Sequence, residues 1–305
     1  MHGDNANNLE YKEKANPEKI SKNQNFQNKI ELLKKCDKSS LYLIADFDDT
    51  FTKKQLYGKR SKTSYRVITT SKFIPKEVAD KSQKLSEKYR SYETDLTIDF
   101  EIRDKYVKEW YEAELNQMAK AGLDKSFFQK VVEESIEDGY ILFRNGMTTF
   151  FELIEKYNIP LIIISAGIKE IIEEEFKALL GEEKYKNLIE KKLLFIIANY
   201  FKYNDKKVIE DFSKPVIYSF NKYNFINNEM MGNKKEINVV FFGDHLNDID
   251  ALDKLDYSTV LGIGFGNNPV DKISKEYDEK YDAVIQEDGD FWFINNILVE
   301  LYNKN

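Results

Sequence analysis

Residues 41–50, Leu-Tyr-Leu-Ile-Ala-Asp-Phe-Asp-Asp-Thr, run from apolar side chains straight into Asp46-x-Asp48-x-Thr50. Two carboxylates at the end of a buried strand repel each other, and burial makes the repulsion worse. A bound cation relieves it, and the chemistry such a site serves is phosphoryl transfer with one carboxylate as nucleophile. Two further apolar runs end in fitting residues: Ser165-Ala166-Gly167 after Ile164, and Gly243-Asp244-His245-Leu246-Asn247-Asp248 after Phe242. A hard divalent cation takes oxygen ligands, and magnesium commonly uses few carboxylates plus phosphate oxygen and water. Asp46 and Asp244 can supply those carboxylates. Ser165 and the amides that follow it, just ahead of a helix, can hold phosphate oxygens. A lysine is still needed to neutralise the phosphoryl group and restrain the nucleophile, and Lys222 in Phe220-Asn221-Lys222 is the candidate.

These groups are far apart along the chain, so the fold must gather them. Short apolar runs at 41–45, 161–164, 194–198, 239–242, 260–263 and 283–284 read as strands. Helical patterns fall at 17–35, 169–180, 248–255 and 291–302. Strands alternating with helices predict an α/β protein: a doubly wound, mostly parallel sheet with helices on both faces. Ligands of such sheets bind at the carboxyl ends of the strands, which is where the polar residues lie. The character changes between Thr52 and Gly146, where charged segments carry helical spacing (Tyr106, Val107, Trp110, Tyr111, Leu115, Met118, then Ser126–Ser135) and strand-like runs are scarce. The expected organisation is a disordered lead at 1–15, a core built from 16–54 and 147–305, and a helical insert at 55–146.

The chain of 305 residues is 42% hydrophobic and 32% charged, enough for a large core under a charged surface. A net charge of −7 argues against a general nucleic-acid binder, though a local metal can still attract a small anion. One cysteine, Cys36, allows no internal disulfide and favours a reducing, cytoplasmic setting; it is expected to pack half-buried. No apolar run reaches the roughly 20 residues of a membrane span. Met1 to Asn8 is polar and reads as free of a secretory signal. The lysine-rich run 59–62 reads as a solvated face, and a monomer is expected.

Asp46-Phe47-Asp48-Asp49-Thr50, Ser165, Lys222 and Gly243-Asp244…Asp248 resemble, in order, the four motifs of the haloacid dehalogenase superfamily. The chain is more closely similar to the cytosolic pyrimidine 5′-nucleotidases, the third type of cytosolic 5′-nucleotidase. Glu109-Trp110-Tyr111, Ile164 to Ile168, Phe220-Asn221-Lys222, and the tail from Gly262-Ile263-Gly264-Phe265 to Tyr281-Asp282 carry that likeness. The resemblance implies that Asp46 attacks phosphorus to form an aspartyl-phosphate. It implies that Asp48 protonates the leaving nucleoside and then activates water. Magnesium would lie on the Asp46 carboxylate, the Asp48 carbonyl and Asp244, with Asp248 acting behind them on metal-bound water. Thr50, Ser165, the Ala166 amide and Lys222 would fix the phosphate.

The insert falls where the family carries a cap that closes over the core and recognises the base. Glu93, by its spacing to Glu109, matches the cap glutamate that contacts the base, and Phe100 or Trp110 are candidates to stack on it. The family's serine at the base edge is Glu114 here. Two carboxylates at that edge would favour exocyclic amines or a cationic base, so CMP or 7-methyl-GMP over UMP. Asp49 is an extra acid expected to be a spectator, and His245 is a poor basis for a zinc site. The 180–211 stretch is longer than the family leads one to expect.

Taken singly, an Asp-x-Asp is an ordinary turn or helix cap, a Ser-Ala-Gly an ordinary strand–helix turn, and Lys222 a surface lysine. It is their combination, in order and at strand ends, that points to a nucleoside 5′-monophosphatase. Two rivals remain: a phosphatase of the same superfamily acting on another small metabolite, such as phosphoserine or a sugar phosphate, and a catalytically silent binding protein on the same fold. Phosphate transfer to an acceptor nucleoside is open to the same covalent intermediate.

Overall fold

A computed structural model describes residues 20–303 apart from 57, 228–229, 233 and 268–274. The lead expected at 1–15 lies outside the described residues. The main sheet has seven strands: β1 (Ile20–Lys22), β2 (Leu41–Ala45), β5 (Leu161–Ile168), β6 (Leu194–Asn199), β9 (Asn238–Gly243), β10 (Thr259–Gly266) and β11 (Ala283–Gln286). Their order across the sheet is β1-β11-β10-β9-β2-β5-β6. Every pairing is parallel except β1 with β11, which is antiparallel.

The central position of β2 explains its sequence. All five of its residues are buried, so it reads as continuously apolar rather than alternating. Leu41, Leu43 and Ala45 enter the core on one face, and Tyr42 and Ile44 the core on the other. The chain leaves β2 for β5 on one side and later places β9 on the other. β2 is therefore the switch point, and its carboxyl end opens onto the crevice where such sheets bind ligands. Just beyond it Phe47 and Phe51 join Phe150, Phe176, Phe242 and Phe291 in a web of mostly edge-to-face rings. That web anchors the loop carrying the acids.

Helices α1 (Phe26–Lys35), α6 (Met147–Tyr157), α7 (Lys169–Leu180), α8 (Glu182–Glu190), α9 (Lys275–Lys280) and α10 (Trp292–Tyr302) accompany the sheet. Between β2 and α6 the chain forms the two-stranded ribbon β3 (Gln55–Leu56) with β4 (Lys59–Arg60). Helices α2 (Ser64–Thr69), α3 (Lys76–Thr94), α4 (Phe100–Ala119) and α5 (Ser126–Glu137) follow. Their apolar cluster (Val67, Ile68, Leu115, Met118, Phe128, Val131) continues into Ile168 and Ile171 and into the hairpin β7 (Phe201–Tyr203) with β8 (Ile209–Phe212). The long 180–211 stretch is thus filled by α8, β6 and nearly all of the β7–β8 hairpin, which packs against the inserted helices.

Three expectations need correction. The first helix starts at Phe26 rather than near Pro17, because Ile20–Lys22 pairs with Ala283–Ile285 at the sheet edge. The 248–255 helix is only a 3-10 turn over Ile249–Leu252, since the Asp248 side chain is turned back onto Lys222 and the His245 amide. The 59–62 run is not a uniformly solvated face: Lys62 is buried, lies 4.6 Å from the Tyr140 ring centre and reaches Ser135 Oγ at 3.4 Å, while Arg60 pairs with Asp49.

Candidate active site

The β2 end delivers Asp46 with its amide still donating to Phe242 O at 3.1 Å, so the first acid is held by sheet pairing. The chain then turns sharply, with the Thr50 and Phe51 amides both donating to Phe47 O. Asp49 completes the turn at φ 61°, the left-handed region that is costly for a residue with a Cβ. Arg60 grips its carboxylate with two bonds of 2.7 and 2.5 Å, and Arg144 and Asn267 bond its carbonyl.

Lys222, Asp46 and Asp248 form one buried cluster. The ammonium donates to Asp46 Oδ1 at 2.6 Å and to Asp248 Oδ1 at 2.8 Å. Asp248 Oδ2 accepts the His245 amide at 2.9 Å, so both of its oxygens are engaged within the protein. Gly243 makes room for it, since a Cβ there would stand 2.7 Å from Asp248 Cβ. Burial works against the Lys222 charge, but Asp248 and Asp46 outweigh it and push its pKa up. Burial would likewise raise Asp248, yet Lys222 and then His245 hold it below the ordinary carboxylate range. For Asp46 burial wins, with Asp248 adding to it against Lys222, and its pKa rises to about 7.

Asp244 differs. Among the described residues its carboxylate accepts one long bond, 3.4 Å from Asn267 Nδ2, and no described ammonium or guanidinium is in ion-pair contact with it. One oxygen each of Asp46, Asp244 and Asp248 lie within 4.8 Å of one another. Burial, then the charges of Asp49, Asp248 and Asp46, drive the Asp244 pKa well up. Acids crowded this closely with one left unpaired fit a hard divalent cation.

Asp48 is held apart from the cluster by a residue that sequence reasoning missed. Ser64, at the start of α2, donates its amide to Asp48 Oδ1 and its hydroxyl to Oδ2, both at 2.9 Å. Burial first, and the neighbouring Asp49 second, raise Asp48 to about 6, with Ser64 and Arg60 opposing. A carboxyl in that range can both give and take a proton near neutrality. Gly167 packs against the same contact: a Cβ there would lie 2.2 Å from Ser64 Oγ. Ser165 is buried, with Oγ accepting the Gly167 amide at 3.0 Å. Ala166 follows it, and its carbonyl is fixed by the Asn199 amide at 2.8 Å. Thr50 Oγ1 is buried and has no hydrogen-bond partner among the described residues. Asp46, Asp48, Thr50, Ser165, Ala166, Lys222, Asp244 and Asp248 all lie on the carboxyl-terminal side of the sheet's central strands.

The cap-side candidates behave less uniformly. Glu93 Oε1 accepts the hydroxyls of Tyr111, at 3.2 Å, and Ser219. Glu114 is buried, with bonds from Ser82 at 2.7 Å and Gln117 at 2.6 Å on one oxygen and Trp110 at 3.3 Å on the other. Its lone pairs thus serve its own helices. Phe100 lies tilted against Phe220, with centroids 5.5 Å apart. His245 is exposed and contributes its backbone amide. Asp49, a spectator by expectation, pairs with Arg60 and raises the pKa of both Asp48 and Asp244. Besides Ser64, the residues missed were Arg60, Arg144, Asn199, Ser219 and Asn267. Asn199 and Asn267 sit at the ends of β6 and β10, so the strand-end rule that found the acids could have found them too.

A doubly wound sheet with acids at its switch point, a lysine between two of them and a helical insert after β2 defines a phosphatase-type hydrolase fold. Comparison with solved structures agrees. Cytosolic 5′-nucleotidase IIIB bound to cytidine superposes with a TM-score of 0.77 over 93% of both chains at 18% identity. A haloacid dehalogenase family hydrolase from Salmonella enterica superposes at 0.51 over 85% of this chain and 71% of the other, at 16% identity. Residues 49–302 match the pyrimidine 5′-nucleotidase (UMPH-1) family. The 7-methylguanosine phosphate-specific 5′-nucleotidase of Homo sapiens is 28% identical over 271 residues, 87% of this chain and 86% of that protein. Its Gallus gallus counterpart is 25% identical over 276 residues, 88% and 90%. The chain belongs to the pyrimidine 5′-nucleotidase family and is a phosphoric monoester hydrolase. Among the described residues no helix is long and apolar enough to cross a membrane.

Proposed function

We propose that this chain is a magnesium-dependent 5′-nucleotidase that hydrolyses nucleoside 5′-monophosphates through an aspartyl-phosphate, in the cytoplasm. The observation that carries this reading is Lys222 bridging Asp46 and Asp248 beside an Asp244 that makes no ion pair among the described residues. The Asp46 oxygen that Lys222 does not bond attacks phosphorus. The bond to the nucleoside 5′-oxygen breaks, and that oxygen takes the proton of the Asp48 carboxyl. Asp48, now ionised, removes a proton from water as the water attacks the phosphoryl group. Phosphate departs, and Asp46 and Asp48 return to their starting states. Thr50 Oγ1, without a partner of its own, Ser165 Oγ, the Ala166 amide and Lys222 hold phosphate oxygens. The Asp46 carboxylate, the Asp48 carbonyl and Asp244 would hold magnesium, which would supply charge neutralisation of the phosphoryl oxygens, and Asp248 would act behind them by orienting metal-bound water. Several such effects are needed, because phosphate monoester hydrolysis calls for accelerations up to ~10²¹-fold.

The segment 55–146 acts as the cap. Glu93 Oε2, which accepts no hydrogen bond from the described residues, faces the base. Glu114 adds negative charge behind it, so amino-bearing or cationic bases are favoured: CMP and 7-methyl-GMP over UMP. The relatives named for 7-methylguanosine phosphate support the second of these. The test is phosphate release from the three nucleotides with magnesium and with EDTA, for wild type and Asp46→Asn. The expected result is metal-dependent turnover with UMP the poorest by kcat/KM, and a loss of about 10⁴-fold or more in the variant. Turnover retained by Asp46→Asn refutes the nucleophile, and a UMP preference refutes the base assignment.

A further inference from the structure

The loop that carries Lys222 is fastened to the inserted helices at three successive residues. Tyr218 Oη donates to Asp104 Oδ1 on α4 at 2.8 Å. Ser219 Oγ donates to the Glu93 carboxylate on α3 and lies 3.2 Å from Tyr111 Oη. Phe220 lies 5.0 Å beneath the Arg103 guanidinium. Arg103 in turn bonds the carbonyls of Tyr92 at 3.0 Å and Glu93 at 2.9 Å, so it ties the backbone of the cap glutamate to the ring two places before Lys222. Lys222 itself is pinned to Asp46 and Asp248. Both hydroxyls on Glu93 converge on Oε1, one from the cap (Tyr111) and one from the core (Ser219), which among the described residues leaves Oε2 as the open acceptor.

We propose that Ser219 is a positioning residue for base recognition: from the loop that holds the phosphate lysine, its hydroxyl fixes the rotation of the Glu93 carboxylate. The base acceptor is then complete only when cap and core are closed together, and one segment sets both ends of the nucleotide site. This rests on the reading of the chain as a nucleotidase with Glu93 at the base. Tyr111 alone leaves the carboxylate free to swing about its terminal bond; a second donor from a different element removes that freedom.

The test compares Ser219→Ala and Ser219→Thr on two substrates with magnesium: the better of CMP and 7-methyl-GMP, and ribose 5-phosphate, which has no base. The expected result for Ser219→Ala is a loss of about tenfold in kcat/KM for the nucleotide, mainly in KM, the magnitude of one hydrogen bond to a charged group. Turnover of ribose 5-phosphate stays within about twofold. Ser219→Thr keeps the hydroxyl and keeps the nucleotide preference. In a Glu93→Gln background Ser219→Ala adds little. Equal losses on both substrates would mean that Ser219 acts through Lys222 or the fold, and no loss on either would mean that it acts on nothing; both overturn the proposal. So does a full additive loss in the double variant. A wild type with no preference for the nucleotide over ribose 5-phosphate overturns the functional reading and this inference together, whereas a preference that Ser219→Ala preserves overturns this inference alone.

Discussion

Arg144 is the side chain on which the shape of the Asp46–Thr50 turn depends, although it touches none of the carboxylates proposed for chemistry. It is 1% exposed. Its guanidinium donates to the carbonyls of Thr50 at 2.8 Å, Asp49 at 2.5 Å and Gly289 at 2.5 Å, and to Asn267 Oδ1 at 2.9 Å. It also pairs with Asp288 at 3.0 Å and lies 4.1 Å over the Phe265 ring. Those bonds hold the left-handed Asp49 in place, and with it the spacing of Asp46, Asp48 and Thr50. Arg144→Met would strand several buried carbonyls and the Asp288 charge. The expected loss in unfolding free energy is about 3–5 kcal/mol by urea titration. Arg144→Lys would recover less than half of that, because a single ammonium cannot replace the planar fork; a full recovery would show that charge alone matters. At this scale the acids were legible because strand-end carboxylates are conspicuous among apolar runs. Lys222 was legible through its motif. Arg144 was not, since its partners are mostly backbone carbonyls, which a sequence does not display.

At the scale of elements, the buried parallel strands and helix α7 were readable from apolar runs and helical spacing, since each has a local pattern. The edge strand β1 and the shortened 248–255 turn were not, because both are decided by distant partners: Ala283–Ile285 for one and Lys222 for the other. The join between α7 and the β7 strand is a further long-range device. Glu170, in the first turn of α7, accepts the Phe201 amide at 2.8 Å and the Tyr203 hydroxyl at 3.0 Å on one oxygen, while Oε2 is buried without a partner among the described residues. Burial raises its pKa from 4.5 to about 6. The fold therefore favours the protonated form. The stability that Glu170 contributes is full below pH 4.5, declines as pH rises through about 6, and is gone above it. A shift of this size corresponds to about 2 kcal/mol. Glu170→Gln keeps the accepting oxygen and cannot ionise, so its unfolding free energy should gain about 2 kcal/mol on wild type between pH 4.5 and 8. Parallel pH curves for the two proteins would show that Glu170 ionises without cost.

Across the whole molecule, one topological fact does most to create the site: β9 and β5 flank β2, so motifs remote in sequence meet at one sheet edge. The same fact loads that edge with like charge, for Asp46, Asp49, Asp244 and Asp248 answer to Lys222 and Arg60 alone among direct ion-pair partners in the described structure. Global stability and activity should then respond oppositely to Asp244. Asp244→Asn removes an acid whose ionisation the fold disfavours, so in EDTA the variant should melt above wild type, by about 2–4 °C if the relief is near 1 kcal/mol. Magnesium should reverse the order. It raises the wild-type Tm by mass action, with about 2.7 kcal/mol gained at a hundredfold excess over Kd, and leaves Asp244→Asn nearly unmoved and inactive. Thermal melts of both proteins in EDTA and in magnesium read this without any assay of turnover. A variant that melts below wild type in EDTA would show that Asp244 is satisfied by the protein itself. A variant that responds to magnesium as wild type does would place the cation elsewhere.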